Sequence, residues 1–596
     1  MSFEYLTKDF IFDNTTSLRV IEEVPTYYIF PTVYIIYCKK TKKAYVGETT
    51  NIPQRIKNHL NNPEKNQLKN IKIIFSPYFN KSSVLDIESN LIQNMIADKQ
   101  FTLINGNDGI ANHQYYQKNE YEDTFKDIWK NLQFEKLVKN DLLDIQNSDL
   151  FKYSPYKTLS EDQYNAIREY LYLLNHKEIK NTTFIQGSAG TGKTILAVYL
   201  IKLLLSEISD DELADNFEVN SLVELAQEVK NKLKKNKDKL KIAFVIPMTS
   251  LRKTLKKVFK SIYGLSQNMV IGPNELSKDY YDLIIVDEAH RLKRRKNITG
   301  YKEFDKTNKY FDLEKEKGTE LDWVMLSSDN QLFFYDEKQS IRPTDVEKEK
   351  FDLIKTNASV IKIKSQMRVE GGEDYIQFVD KLLSDTKDLS PWKETNNYEL
   401  KIFTSMKDII DSLSKKEEEY GLCRLISGYS WKWISNKSSS PDVIIDDVPL
   451  YWNRTNQDWI NSTNQMNEMG CIHTTQGYDL NYSGVIFGSD ITYNENTKQI
   501  EIIKENYYDR NGKAGISIEQ LHDYIINIYK TIMYRGIKGT YIYCYDKKLE
   551  AFFKTYIPIN ETKINMNLYE QSGNQINNAF ENDLLVAEPK VRYGKK

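Results

Sequence analysis

An α/β chain is what this sequence predicts: parallel sheets flanked by helices, preceded by a smaller α+β module built on a short antiparallel sheet with helices. Three observations carry that expectation. A short apolar run, Thr183-Phe184-Ile185, leads into Gly187-Ser188-Ala189-Gly190-Thr191-Gly192-Lys193-Thr194 and then into a stretch rich in Leu, Ile and Ala. Continuous apolar runs recur at 242–246 and 283–286, separated by long polar and helical stretches, as in parallel strands buried on both faces. Near the N-terminus, Thr32-Val33-Tyr34-Ile35-Ile36-Tyr37 and Ala44-Tyr45-Val46-Gly47 flank the polar 39–43, which reads as a hairpin.

The chain has 596 residues, enough for several domains. Lys+Arg (82) and Asp+Glu (84) nearly cancel, so any nucleic-acid-binding surface must be local. Four cysteines, Cys38, Cys423, Cys471 and Cys544, form no C-x-x-C pair, which argues against a zinc module or a disulfide framework and fits a reducing cytoplasm. No run has the apolar length of a membrane span, and MSFEYLTKDF lacks a signal-peptide core, so no membrane association is expected.

In the N-terminal module, residues 1–115, Asn51 can cap a helix with Pro53 in its first turn. Ile52, Ile56 and Leu60 then share a core face, and Arg55 and His59 share another. A second helix over 84–97 carries Glu88 on the same stripe as Val84, Leu91, Ile92 and Met95. A carboxylate on an apolar stripe is costly unless paired or metal-bound. Residues 103–109 read as a turn that can hold the Asn105 amide in place.

With these residues in order, the module resembles the GIY-YIG nuclease family. Tyr34 and Tyr45 match its two tyrosines, and Arg55, His59, Glu88 and Asn105 match its arginine, histidine, glutamate and asparagine. Thr32-Val33-Tyr34 replaces Gly-Ile-Tyr but keeps the tyrosine. The resemblance implies metal-dependent hydrolysis of a phosphodiester. Glu88 would hold one divalent ion, Mg²⁺ or Mn²⁺, Tyr34 would help deprotonate the attacking water, and Tyr45 would position it. Arg55 would offset transition-state charge, with His59 and Asn105 orienting these groups.

Residues 116–155 read as linking helices with a stripe through Phe125, Ile128, Trp129 and Leu132, and no chemistry is expected there. The remaining core divides into a lobe at 156–350, with a helical insertion at 206–241, a second lobe at 351–560, and a flexible tail at 561–596. In the first lobe, the glycines of 187–194 turn backbone N–H groups, with the helix N-terminus, toward a nucleotide's phosphates. Lys193 can reach the β- and γ-phosphates of ATP, and Thr194 can hold Mg²⁺. Gln163, after Ser160, can read an adenine edge, or simply belong to a capped helix start. Thr249, Ser250 and Arg252 are candidate phosphate donors, and the lysine-rich 230–241 reads as solvated. At the end of Leu283-Ile284-Ile285-Val286, Asp287 would hold Mg²⁺ through water, and Glu288 would activate the attacking water. Arg291, Lys293, Arg294 and Arg295 form either a nucleic-acid contact or a solvated helix end. Residues 324–331 read as a strand and turn delivering Gln331 as a γ-phosphate sensor. Arg368, in a run at 361–368 that opens the second lobe, can reach the nucleotide across a cleft, and Arg535 is the candidate arginine finger.

GSAGTGKT, IIVDEAHRL, HTTQGYD and YRGIKGTYIY together resemble superfamily 1 helicases, and more closely the bacterial Schlafen-like helicase domains. That resemblance implies two RecA-like lobes with ATP between them. One departure stands out. Superfamily 1 motors carry Gly-Asp before the sensing glutamine, yet Ser327-Ser328 occupy that place relative to Gln331. The expected protein is therefore an ATP-dependent nuclease acting on nucleic acid, DNA before RNA, in antiviral defence or restriction. Alternatives are a nucleotide-gated nuclease without unwinding, or a repair or RNA-directed helicase whose N-terminal domain does not cleave. A homo-oligomer is one state the sequence allows.

Overall fold

Five strands build the N-terminal sheet: β1 (Leu6–Ile11), β2 (Thr32–Cys38), β3 (Lys43–Thr49), β4 (Asn70–Phe75) and β5 (Thr102–Leu103), in the order β1-β4-β2-β3-β5. β2 and β3 pair antiparallel, with Tyr34 opposite Gly47 and Ile36 opposite Tyr45. Because side chains alternate across a strand, Tyr34 and Ile36 face α1 (Thr16–Glu23) and α2 (Ile52–Asn61), while Val33 and Ile35 face α3 (Lys81–Asp98). With both faces covered, every residue of β2 is buried. Asn51 does cap α2, accepting from Gln54 N at 3.2 Å.

The computed structural model describes residues 2–560 apart from 106–116, 156–158, 177–179, 189, 207–216, 235–236, 340–341, 367, 385, 395–396, 455–458, 463–465 and 476–478. The expectations placed on Ala189, on the turn beyond Asn105, on Gln476-Gly477-Tyr478 and on the tail at 561–596 lie outside the described residues.

The first lobe is a six-stranded, all-parallel sheet of β6 (Asn181–Gln186), β7 (Ile242–Val245), β8 (Val270–Ile271), β9 (Leu283–Val286), β10 (Asn330–Tyr335) and β11 (Ser359–Lys362), ordered β11-β6-β10-β9-β7-β8. The second lobe contains β12 (Glu399–Phe403), β13 (Cys423–Ser427), β14 (Val443–Ile445), β15 (Val448–Trp452), β16 (Glu468–Gly470), β17 (Leu480–Phe487) and, after the separate hairpin of β18 (Ile491–Asn494) and β19 (Gln499–Ile502), β20 (Gly536–Cys544). Its order is β12-β20-β17-β13-β16-β15-β14, parallel except for β14. β11 pairs with β6, so the chain leaves the first lobe only after residue 362, later than the boundary at 351 that the sequence suggests. The alternating run Val360, Ile361, Lys362 extends the free edge of β6 before the chain crosses over.

Between module and core lie α4 (Lys118–Phe134), α5 (Leu142–Gln146) and α6 (Asp149–Lys152), followed by α7 (Glu161–His176) and, after the phosphate loop, α8 (Lys193–Leu205). Leu91 and Met95 of α3, Trp129 of α4, Ile145, Leu150 and the first-lobe residues Leu255 and Phe259 belong to one continuous apolar core. The N-terminal module is therefore docked onto the first lobe by shared packing. The insertion forms a helix, Phe217–Lys234, that packs on α7 and α8. Two of its lysines are not simply solvated: Lys232 Nζ donates to Leu174 O (3.1 Å) and Asn175 O (2.6 Å), and Lys230 Nζ to Ser206 O (3.2 Å). Cations at the carbonyl ends of α7 and α8 suit the helix dipoles.

Candidate nuclease and nucleotide sites

Tyr34 is fully buried, and its hydroxyl joins Arg55 and His59 of α2. Arg55 Nε donates to it at 3.3 Å, and its own oxygen lies 2.7 Å from His59 Nε2. Burial, then the charges of Lys65 and Arg55, push His59 down to about 2, so the ring is neutral and can accept a hydrogen bond from the phenol. Burial holds the Tyr34 phenol well above its usual range; Arg55 opposes that shift, while Glu88 and Glu48 add to it. Tyr45 closes the group, its ring 5.0 Å from His59 and 6.4 Å from Tyr34. Asn105 does not face the reacting space. Its amide pairs both ways with Val46 (N to Oδ1 3.1 Å, Nδ2 to O 2.7 Å), which pins β3 between Tyr45 and Gly47.

Three residues outside the expected set belong here. A Cβ on Gly47 would lie 2.3 Å from the Tyr34 hydroxyl, so the glycine makes room for the phenol over β3. Lys65 is buried, with its ammonium 3.9 Å from the centre of the Tyr45 ring, a favourable cation–π distance. Glu48 is buried next to Gly47; its Oε1 accepts from Lys81 at 2.5 Å, and its Oε2 has no hydrogen-bond partner among the described residues. Lys65 and Glu48 carry no distinctive sequence signal and read as surface charges, whereas Gly47 ends the run Tyr45-Val46-Gly47, which stands where the GIY-YIG pattern has Tyr-Ile-Gly.

Glu88 is likewise buried on α3, and both carboxylates act on the same phenol. Hard carboxylate oxygens, one of them lacking a donor, suit a divalent cation that keeps several waters. Among the described residues no cluster of three or more His, Cys, Asp or Glu side chains stands ready to enclose a metal, so such an ion would depend on water and substrate for its remaining ligands.

In the first lobe, Gly190 (φ 88°) and Gly192 (φ 77°) take left-handed conformations that a side chain would strain. Lys193 Nζ donates to Gly187 O (2.6 Å) and Ser188 O (2.8 Å), and Thr194 Oγ1 donates to Asp287 Oδ2 (2.6 Å) at the C-terminal end of β9. Burial, then Glu288, push Asp287 up to about 7. Burial would raise Glu288 too, but His290, whose Nε2 lies 2.9 Å from its carboxylate, outweighs that together with Lys193 and Arg291, and holds Glu288 low. Glu288 also takes a left-handed backbone (φ 51°), a strain on the order of 1–3 kcal/mol that packing sustains at functional sites.

The cleft between the lobes is lined by Lys193, Thr194 and Glu288 from one side and by Arg368, Asp479 and Arg535 from the other. Arg368 Nε lies 2.6 Å from Asp479 Oδ1. Burial, then the nearby charge of Arg368, lower Arg535 to about 10, still charged at neutral pH.

Several expectations are corrected. Gln331 is at the wrong end of the sheet. It sits opposite Thr182, at the start of β6, whereas the phosphate loop follows the end of β6. Its side chain accepts from Thr182 Oγ1 (2.8 Å) and donates to Ser328 O, buried far from the cleft. Residues Glu320–Leu326 form a helix with a Thr319 capping box, not a strand, and the strand is the next apolar run. Past β10, Gln339 lines the cleft and donates to Asp336 Oδ2 at 2.6 Å, with Asp336 3.8 Å from Lys193. Asp336 precedes Gln339 by three, so the spacing missing before Gln331 is found eight residues later.

Gln163 is committed to the loop instead of to a base: Nε2 donates to Thr191 O at 2.8 Å, and Oε1 accepts from Ser160 N at 3.1 Å. Gln366, from the crossover, fills the space over Gly190, where a Cβ would lie 2.0 Å from its Oε1. The three arginines of the basic cluster are neither a free contact nor a solvated end, and the structure gives no such partner to the Lys293 side chain among the described residues. Arg291 pairs with Asp345 (3.2 Å), Arg295 with Asp305 (2.5 Å) and Glu316 (2.8 Å), and Arg294 donates to Pro343 O (3.0 Å). Arg252 is likewise turned inward, donating to Ile246 O at 2.8 Å, while Thr249 remains exposed. The linker, from which no chemistry was expected, places Asn147, Phe151, Lys152 and Tyr153 in the wall of the cleft.

A phosphate loop facing a strand-end Asp-Glu pair, with arginines from a second lobe, defines a helicase-type P-loop NTPase, here preceded by a nuclease domain of its own. The chain belongs to the Schlafen group 3 DNA/RNA helicase domain family, matched over residues 180–546, and residues 30–100 match the GIY-YIG catalytic domain. It is similar to the uncharacterized protein YPL245W of Saccharomyces cerevisiae, 25% identical over 401 residues that cover 61% of this chain and 82% of that protein. Among solved structures it is similar to a Bacteroides Pif1 helicase in complex with ADP-AlF3 and ssDNA (10% identity, 71% of this chain and 98% of that one, TM-score 0.24). A DEAD box protein from Methanococcus jannaschii is a second such structure (14% identity, 68% and 97%, TM-score 0.21). Likeness at that level bears on neither substrate nor mechanism.

Proposed function

We propose that this protein is an ATP-hydrolysing, metal-dependent nuclease, with DNA as the first substrate to test, acting in antiviral defence or restriction in the cytoplasm. The observation that carries the reading is the Arg55–Tyr34–His59 hydrogen-bonded group beside Glu88, in one polypeptide with the Lys193–Thr194–Asp287 phosphate site. A divalent ion, Mg²⁺ or Mn²⁺, at Glu88 would polarise the scissile phosphate, and one at Thr194 and Asp287 would offset charge on the nucleotide phosphates. Tyr34, held by its hydrogen bond to neutral His59, would help deprotonate the attacking water, while Arg55 offsets the charge on the phosphate. In the cleft, Glu288 would activate water against the terminal phosphate, Arg368 would turn from Asp479 toward it, and Arg535 would act as the arginine finger.

The wedged linker favours a second reading in which nucleotide binding gates the nuclease without strand separation. Contacts to phosphate would look alike for DNA and RNA, so both are tested. The experiment compares wild type, Glu88→Ala and Lys193→Ala on supercoiled plasmid, linear DNA and RNA, with and without ATP and Mg²⁺. Glu88→Ala is expected to abolish cleavage and keep ATPase activity. Lys193→Ala is expected to abolish ATPase activity and any ATP effect on cleavage. Cleavage unchanged in Glu88→Ala overturns the nuclease assignment.

A further inference from the structure

Lys152 belongs to neither lobe, yet it lines the cavity that holds Lys193, Glu288, Arg368, Asp479 and Arg535. Its ammonium donates to the Asp479 main-chain carbonyl at 3.0 Å. Asp479 is also the partner of Arg368, and Arg368 in turn lies close enough to act on Arg535. Lys152 is thus part of the second-lobe cation group opposite the phosphate loop. The walls of the cavity carry four cations, Lys152, Lys193, Arg368 and Arg535, against two carboxylates, Glu288 and Asp479. That imbalance favours a polyanion, and a lysine on its flexible stem, with three donors, can pivot from a carbonyl to a phosphate oxygen.

We propose that Lys152 is a ligand of the terminal phosphate of the bound nucleotide, so that the linker itself reads whether the cleft holds a triphosphate. The inference rests on the reading of the cleft as a nucleoside triphosphate site. Its consequence follows from packing. α6, which carries Lys152, lies against α3, which carries Glu88. The end of α3 is clamped to the start of this segment: Asp98 accepts from Lys139 N (2.9 Å), Asn140 N (2.7 Å) and Asn140 Nδ2 (3.0 Å). On the other side, Asn147 joins the second lobe through Tyr420 O (2.9 Å) and Asn481 (3.1 Å). A cation drawn toward the terminal phosphate therefore pulls on a short, tightly held segment whose far side is the helix of Glu88.

The test is calorimetric titration of the full-length protein with Mg²⁺ and either the non-hydrolysable triphosphate AMP-PNP or ADP, for wild type, Lys152→Ala, Lys152→Arg and Lys193→Ala. Lys152→Ala is expected to weaken AMP-PNP binding at least tenfold and ADP binding less than threefold, with Lys152→Arg restoring most of the difference. A second readout needs no variant: AMP-PNP should slow acetylation of Lys152 in the wild type at least fivefold and leave that of exposed Lys126 unchanged, as read by mass spectrometry. If Lys152→Ala binds both nucleotides as wild type does while Lys193→Ala binds neither, or if acetylation of Lys152 is unprotected, the inference is overturned and the nucleotide site stands. If wild type binds neither nucleotide, both fall together.

Discussion

At residue scale, the nuclease group is assembled by exclusion as much as by attraction. The Tyr34 hydroxyl sits where a Gly47 Cβ would be, so the glycine is as much a part of the group as the phenol. Gly47→Ala is expected to push Tyr34 off Arg55 and His59, lowering cleavage by about a hundredfold or more, a loss on the order of 3 kcal/mol of transition-state stabilisation. Single-turnover cleavage, with ATPase activity as the folding control, measures it; cleavage within threefold of wild type would show that the contact with Tyr34 is dispensable. The two glutamines make a paired prediction. Gln339→Ala is expected to lower ATPase kcat at least tenfold, because Gln339 faces the cleft beside Asp336. Gln331→Ala removes buried hydrogen bonds at the opposite strand end, so it should cost about 1–3 kcal/mol of stability and leave kcat within twofold. Steady-state kinetics and denaturant titration separate the two; the reverse pattern would restore Gln331 as the sensor. The sequence made Gln331 tempting because it follows an apolar run, and only the register of β10 against β6 decides which end of that run meets the phosphate loop.

At the scale of elements, the helix Glu320–Leu326 offers a pH test that avoids both sites. Glu320 is buried with its carboxylate accepting from Lys293 N at 2.8 Å, and burial, opposed by Lys293, pushes it up to about 7. A carboxyl whose folded pKa exceeds its unfolded value binds its proton more tightly when folded. Its contribution is therefore fully present below the unfolded value, near 4, and is lost as pH rises through about 7. Glu320→Gln, which keeps the acceptor without the charge, is expected to leave stability nearly unchanged at pH 4 and to raise it by up to about 3 kcal/mol at pH 8. Urea denaturation at the two pH values checks this; equal effects at both would show that Glu320 is ionised throughout. Element type was legible wherever pattern and caps agreed, as in the β2–β3 hairpin, the Asn51-capped α2 and the apolar β9. It failed at 324–331, where a Thr319–Asp322 capping box fixed a short helix that an apolar run disguised as a strand.

For the whole molecule, the continuous core from α3 through α4–α6 into the first lobe packs the N-terminal domain and that lobe into one body. Asp98 is the polar clamp of that junction. Asp98→Ala leaves the backbone donors of residues 139 and 140 without their acceptor, at a cost of about 1–3 kcal/mol. ATPase activity is expected to stay within twofold of wild type while the effect of ATP on cleavage is lost. Measuring cleavage with and without AMP-PNP in this variant tests the connection; an undiminished nucleotide effect would place the coupling elsewhere.

By itself the sequence determined the parts: the phosphate loop, the strand-end Asp287-Glu288, the paired tyrosines with Arg55, His59 and Glu88, and the order of the domains. These rest on local chemistry, since glycine torsions, strand periodicity and helix spacing act over a few residues. Tertiary structure alone decided that Gln339 and not Gln331 reaches the cleft, that Gln163 and the arginines at 291, 294 and 295 are engaged internally, and that Lys152 of the linker lies among the lobe cations. Those outcomes depend on which distant segments share a sheet end or a cavity, and contacts over such separations leave no periodic trace in the chain.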